Sequence, residues 1–284
     1  MKSLGVLCLL AAGLLSSGCA TLVSNAATSF GNNLTDAILN QDDPELVRAG
    51  MPSYILLLDS FLQGNPDSPA LLSTAASMYA SYGAVFADDE RRASRLTTRA
   101  RNYGLEAMCQ SYADACGWPK MRYKEFVLSL EGVTKKHSDV LYVYGFATLA
   151  FLRAHSSDLN SLAEVPHAEA LFEHYFKIDD VSANGAAHTY YASVLTLRPP
   201  ALGGDYDKAQ YHFERAIEIS QGRDLGAKVA YARDYARQLY IRDLHDRLLN
   251  EVLQADPYAD GLTLTNVMAQ DEAKTLLDDA DDHF

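Results

Sequence analysis

A rigid corner joined to a patterned helix constrains this chain more than any other stretch: Leu197 to Ser220 reads LRPPALGGDYDKAQYHFERAIEIS. Pro199 and Pro200 end the helix before them, because neither has a backbone N–H and each restricts the residue that precedes it. Gly203 and Gly204 permit positive φ, and Asp205 supplies an N-cap for a new helix. In that helix Ala209, Phe213 and Ala216 set small, large aromatic and small side chains at steps of four and three. Alanines at that spacing let a neighbouring helix approach closely, and the phenyl ring fills the space between them. A chain built this way packs helices in pairs.

The same step recurs. Ala168, Phe172 and Tyr175 repeat it after a segment containing Tyr144 and Gly145, and Ala232 and Tyr235 lead on to Leu244 and Leu248 before Asp256-Pro257. A fainter copy is Ala76 and Tyr79 followed by Ala93, Thr97 and Ala100. The later intervals fit the tetratricopeptide (TPR) hairpin of roughly 34 residues. The anchors Ala93, Ala168, Ala209 and Leu244 are unequally spaced, so the expected fold is all-α: an irregular TPR-like helical-hairpin solenoid with cryptic, diverged repeats. Helices are expected over 44–62, interrupted or kinked near Gly50 to Pro52, then 70–86, 89–115, 120–134, 138–155, 164–177, 183–197, 205–220, 224–241, 243–254 and 262–280. No run alternates strictly with period two, which argues against a sheet.

The N-terminus sets the compartment. Lys2 and the apolar run Leu4 to Leu15 have the length and flanks of a signal peptide and are too short to span a bilayer. Ser16-Ser17-Gly18 then leads into Cys19, which reads as the lipid-accepting cysteine of a bacterial lipobox, with Ser16 where Leu is common. Only a thiolate is nucleophilic enough near neutral pH for that transfer. Residues 1–18 are thus expected to be removed, 19–33 to form a tether, and 34–284 to form one α-helical domain. Ala20 rather than Asp follows the cysteine, which favours the inner leaflet of the outer membrane over the inner membrane.

A formal charge of −13 with no basic cluster argues against nucleic acid, whose phosphates demand Lys and Arg. Cys109 and Cys116 would lie about 10 Å apart on one continuous helix, beyond the reach of a disulfide. A bridge therefore requires the chain to turn between them, and the sequence leaves this open. His167 and His174 are likewise about 10 Å apart on one face, too far for one metal. Neither a metal site nor a cofactor site is expected. There is no His-Glu-x-x-His, P-loop, Gly-x-Ser-x-Gly or dinucleotide fingerprint, so the chain reads as a non-enzyme. Asp278, Asp279, Asp281 and Asp282 read as a frayed, solvated end. Arg91, Arg95 and Arg99, behind Asp88, Asp89 and Glu90, read as a solvated stripe that follows the helix dipole.

Seventeen tyrosines stand against one tryptophan. Tyr142, Tyr144, Tyr190, Tyr191, Tyr231 and Tyr235 fall in first helices of the hairpins, which line the concave face of a TPR array. The first five, with His188, are candidate ligand-binding residues, since phenol rings offer apolar faces and a hydroxyl. The bland reading is that such rings fill space between helices, and it is preferred for Tyr235 and, as a packed histidine, for His188.

Together these stretches resemble the T-component lipoproteins of TRAP transporters, the TatT family. The resemblance rests on the Cys19 lipobox, Gly185-Ala186-Ala187-His188, the corner Arg198 to Asp205, HFERAIEIS at 212–220 and the Ala232/Tyr235 segment, and is strongest over 138–280. It implies an all-helical accessory protein that associates with a periplasmic solute-binding P component, which delivers solute to a sodium-coupled permease. It also implies a homotrimer with an internal pore or cleft, and hydrophobic ligands that can bear a carboxylate. The competing reading is a TPR adaptor for envelope protein assembly without a small-molecule ligand.

Overall fold

The computed structural model describes residues 34–284, so Cys19, the signal segment 1–18 and the tether 19–33 lie outside the described residues. Among the described residues every regular element is helical. The principal helices are α1 (Pro44–Gly64), α2 (Pro69–Val85), α3 (Glu90–Ser111), α4 (Tyr123–Leu130), α5 (Ser138–Ala154), α6 (Val165–Ile178), α7 (Ala186–Leu195), α8 (Tyr206–Ile219), α9 (Leu225–Ala230), α10 (Arg242–Gln254) and α11 (Thr263–Asp278).

Local sequence explains where these begin. Asp43 caps α1 by accepting from the Glu45 and Leu46 amides, Ser68 caps α2, Asp89 caps α3 through Arg92 N at 2.8 Å, and Asp205 caps α8 through Lys208 N. Pro44 and Pro69 occupy first-turn positions, where a missing N–H costs nothing. Of the interruption or kink expected near Gly50 to Pro52, the interruption does not occur: α1 runs through Pro52, with Val47, Met51, Ile55, Leu58 and Leu62 on one buried stripe. That stripe holds the helix together where propensity would break it.

The corner behaves as its residues dictate. Pro199 O accepts from Gly204 N at 3.1 Å and Leu195 O from Asp205 N at 3.2 Å, which folds the chain back on itself. Gly203 sits at φ 91°, and a Cβ on Gly204 would lie 2.0 Å from Arg198 O, so no other residue fits there.

Two features depart from expectation. Helix α3 ends at Ser111, Tyr112 is extended, and a 3₁₀ segment over Ala113–Lys120 turns the chain back. That turn brings Cys109 and Cys116 to a Cα separation of 4.6 Å, and they form a disulfide. The C-terminal end is also not frayed. Asp281 pairs with Arg242, the His283 ring contacts Arg237 O at 3.0 Å, and Tyr240 stacks on His283.

Two hydrophobic cores result. One joins α1, α2 and α3, with Ala147 and Ala150 of α5 and Leu264 of α11; the other runs from Met108 to Ala273 through α4–α11. Val140 packs against both. Segments far apart in sequence also touch: Asn40 bonds Asp260 and the Gly261 amide, and Tyr258 bonds Asp42.

Candidate functional site

Aromatic rings join α5 to α7. Tyr142 and Phe146, one turn apart on α5, meet Tyr190 on α7, with centroid separations of 5.9 Å for Tyr142–Tyr190 and 4.9 Å for Phe146–Tyr190. Both pairs are close to parallel, at 28° and 26°, and Tyr175 of α6 adds a ring 6.0 Å from Tyr142. Tyr142 and Tyr190 are half-buried. Burial, and then the charge of Asp224, push the Tyr190 hydroxyl up to about 12, against the pull of Tyr142. The Tyr142 hydroxyl is pushed up by burial and next by Tyr190. Both phenols are therefore neutral donors and acceptors at any physiological pH.

A charge network ties four elements, α5 and α7 among them. Asp234 accepts from Arg153 of α5 at 2.8 Å, from Ser193 of α7 at 2.9 Å and from Arg233 at 2.7 Å. Arg233 continues to Glu272 of α11 at 2.6 Å. Burial raises the Asp234 carboxyl, but Arg153 and Arg233 outweigh it and hold the group below its ordinary value. Asp234 and Arg233 sit in a π-helical turn over Tyr231–Ala236 that continues α9, with Arg237 N bonding Ala232 O at 2.9 Å. Such a turn widens the helix and re-aims its side chains.

The candidate residues fall in separate places. Tyr142 and Tyr190 stack on each other between α5 and α7. Tyr144, on the same helix, is buried against Trp118 at 5.7 Å and beneath Arg101. Tyr191 and His188 are interior: His188 is 1 % exposed, and its Nδ1 lies 2.7 Å from Nδ1 of His212, with Phe176 stacked on both rings. The Nε2 of His188 faces the Asp180 carbonyl at 3.0 Å and its carboxylate at 3.2 Å. That nitrogen must carry the proton, so Nδ1 of His188 accepts and Nδ1–H of His212 donates. Tyr231 stacks on Phe213 and bonds Glu214, at the edge of a groove of about 390 Å³ between α8, α9 and α10. Pro199, Pro200, Gly203, Gly204 and Asp205 form the corner and shape the α7–α8 turn. Tyr235 packs between Tyr206 and Tyr231, as preferred.

Sequence reasoning missed Phe146, Asp224 and the Asp234 network. Phe146 was within reach as the residue one turn beyond Tyr142. Arg233-Asp234 in an alanine-rich helix was also a signal, since a buried face rarely carries two charges unless they are paired. A second apolar surface lies outside the array: Leu46, Tyr54, Leu57 and Phe61 of α1 are exposed along one side, with Leu56 the barest at 69 %. No described helix is long and apolar enough to cross a membrane.

The described residues form an all-helical scaffold with an aromatic cluster between α5 and α7. The family model of the TRAP transporter T-component matches residues 40–284, and the chain belongs to that family. It is therefore a non-catalytic accessory subunit of a transporter and not an enzyme. No curated protein matches the chain.

Proposed function

We propose that the chain is a lipid-anchored, periplasm-facing T component that docks a periplasmic solute-binding P component and holds or passes a small amphipathic ligand in its cleft. Residues 34–284 act as one α-helical domain in this reading, with TPR-like hairpins as its units. Membership of the T-component family supports the accessory role, and the Tyr142/Phe146/Tyr190 wall supports the ligand. Rings with one wet edge suit a molecule that has an apolar body and a polar end. Cys19 carries the anchor, in the inner leaflet of the outer membrane. A homotrimer belongs to the same reading, because α1 leaves Leu46, Leu56, Leu57 and Phe61 uncovered and association would bury them.

Native mass spectrometry of the mature protein, released from membranes in mild detergent, tests this. The expected species is a trimer with a diacylglyceryl group on Cys19 and additional small-molecule mass. A monomer that begins elsewhere and carries no bound molecule would overturn the anchor, the trimer and the ligand together.

A further inference from the structure

Helix α4 turns apolar side chains outward. Tyr123 is 49 % exposed, Val127 37 % and Leu128 57 %, although the helix has only 8 residues. A helix that short does not persist on its own. It is held from within by Phe126 and Leu130, with Phe126 edge-on to Trp118 at 5.3 Å and 5.1 Å from the His167 ring. The 3₁₀ segment that leads into it is tied to α3 by the Cys109–Cys116 bridge. The outer face of α4 is thus carried on a fixed platform. Tyr123 and Val127 stand one turn apart on it, as do Lys124 and Leu128. Lys120 and Lys124 are exposed and enter no ion pair among the described residues, whereas Arg122 is taken by Glu125. Glu131, at the end of the helix, is the opposing charge on this side.

On a chain of formal charge −13, two lysines that take no carboxylate partner, set among exposed Tyr, Val and Leu side chains, match an anionic surface with an apolar interior. Resting on the lipid-anchored reading above, we infer that α4 lies flat on an anionic phospholipid surface and gives the domain a second membrane contact. Leu128, Val127 and the Tyr123 ring would enter the headgroup layer, with Lys120 and Lys124 on lipid phosphates. An amphipathic tyrosine suits that depth, and lysine stems cover apolar surface while their charge stays wet. The anchor alone does not orient the domain. From Cys19 to Leu34 is 15 residues, a reach of at most about 50 Å at full extension, comparable with the width of the domain. A surface contact must therefore select the face. Helix α1 is the poorer candidate, because its only basic side chain, Arg48, is paired with Glu45 and Asp88.

The test is co-sedimentation of the full mature chain with phosphatidylcholine vesicles, with and without phosphatidylglycerol. Cys19→Ser removes the lipid, so the α4 contact is read separately from the anchor. The unlipidated chain is expected to partition about ten-fold more onto the phosphatidylglycerol vesicles. Lys120→Gln combined with Lys124→Gln should abolish that preference, and Leu128→Ser should weaken binding about five-fold. Glu131→Gln removes the opposing charge and should strengthen binding to phosphatidylglycerol vesicles about five-fold. Leu159→Ser, which removes a leucine 80 % exposed elsewhere, should change nothing. Absence of vesicle binding, or a phosphatidylglycerol preference that survives the double lysine variant, overturns the inference and leaves the Cys19 anchor untouched. Sedimentation velocity identifies the rival occupant. If the chain ignores vesicles while Leu128→Ser lowers its oligomeric state, α4 faces a second copy and the inference falls.

Discussion

The buried histidine pair should make this protein lose stability as the pH falls from neutrality. His188 and His212 face each other at 2.7 Å, and both are almost fully buried. Burial depresses both pKa values. That of His212 falls to about 3, with His188 as the next cause, and that of His188 falls even though Asp180 pulls the other way. Both rings stay neutral in the folded chain where a free histidine, with a pKa near 6.5, takes up a proton. Below that value the unfolded chain binds more protons than the folded one, so stability drops as pH drops. From pH 7 to 5 the loss attributable to His212 alone is about 2 kcal/mol. The carboxylates whose pKa is lowered, Asp180 and Asp234, lose their contribution only at lower pH. His212→Asn keeps an N–H to donate to His188 and does not titrate. Urea unfolding at both pH values should show the wild type losing about 2 kcal/mol more than His212→Asn. His137 and His167, also depressed by burial, contribute equally to both proteins and cancel. Equal losses in the two proteins would refute the reasoning.

Other perturbations have expected outcomes in the same unfolding assay. Gly204→Ala pushes a Cβ to 2.0 Å from Arg198 O and should cost about 3 kcal/mol or more, whereas Gly64→Ala, with nothing within 4 Å, should be neutral or stabilise by up to about 1 kcal/mol. Asn266→Ala strips partners from Leu225 N, Arg223 O and Pro257 O in a fully buried setting and should cost about 2–4 kcal/mol. Asp234→Asn leaves Arg153 and Arg233 facing each other and should cost about 3–5 kcal/mol. Replacing Cys109 and Cys116 with Ser opens a short loop and should cost about 2 kcal/mol.

The helices were legible because their ends are written locally. Asp43-Pro44, Ser68-Pro69, Asp89 and Asp205 each name a start through side-chain chemistry that needs no tertiary contact. The corner was legible for the same reason. Pro52 misled because tertiary burial of Met51 and Ile55 outweighs one missing hydrogen bond. The π-helical turn at Tyr231 to Ala236 was not legible, and Arg153 and Ser193, which bond Asp234 within it, come from helices distant in sequence. The tyrosines show the limit most plainly. Tyr142 and Tyr144 sit two residues apart on one helix, yet one faces Tyr190 and the other faces Trp118. Membership of a first helix gave both the same expectation, but rotation about the helix axis separates them. His188 was read as packed, and the partner that packs it, His212, lies across the corner in HFERA, where sequence alone does not pair the two.

The accessory role rests on a partner, so the decisive measurement is capture of the tagged protein, Cys19 intact, from detergent-solubilised native envelope, with proteins and small molecules both read by mass spectrometry. Stoichiometric recovery of a periplasmic solute-binding protein is the expected result. Recovery of envelope-assembly proteins, with no solute-binding protein and no bound small molecule, would contradict docking of a P component and favour the adaptor.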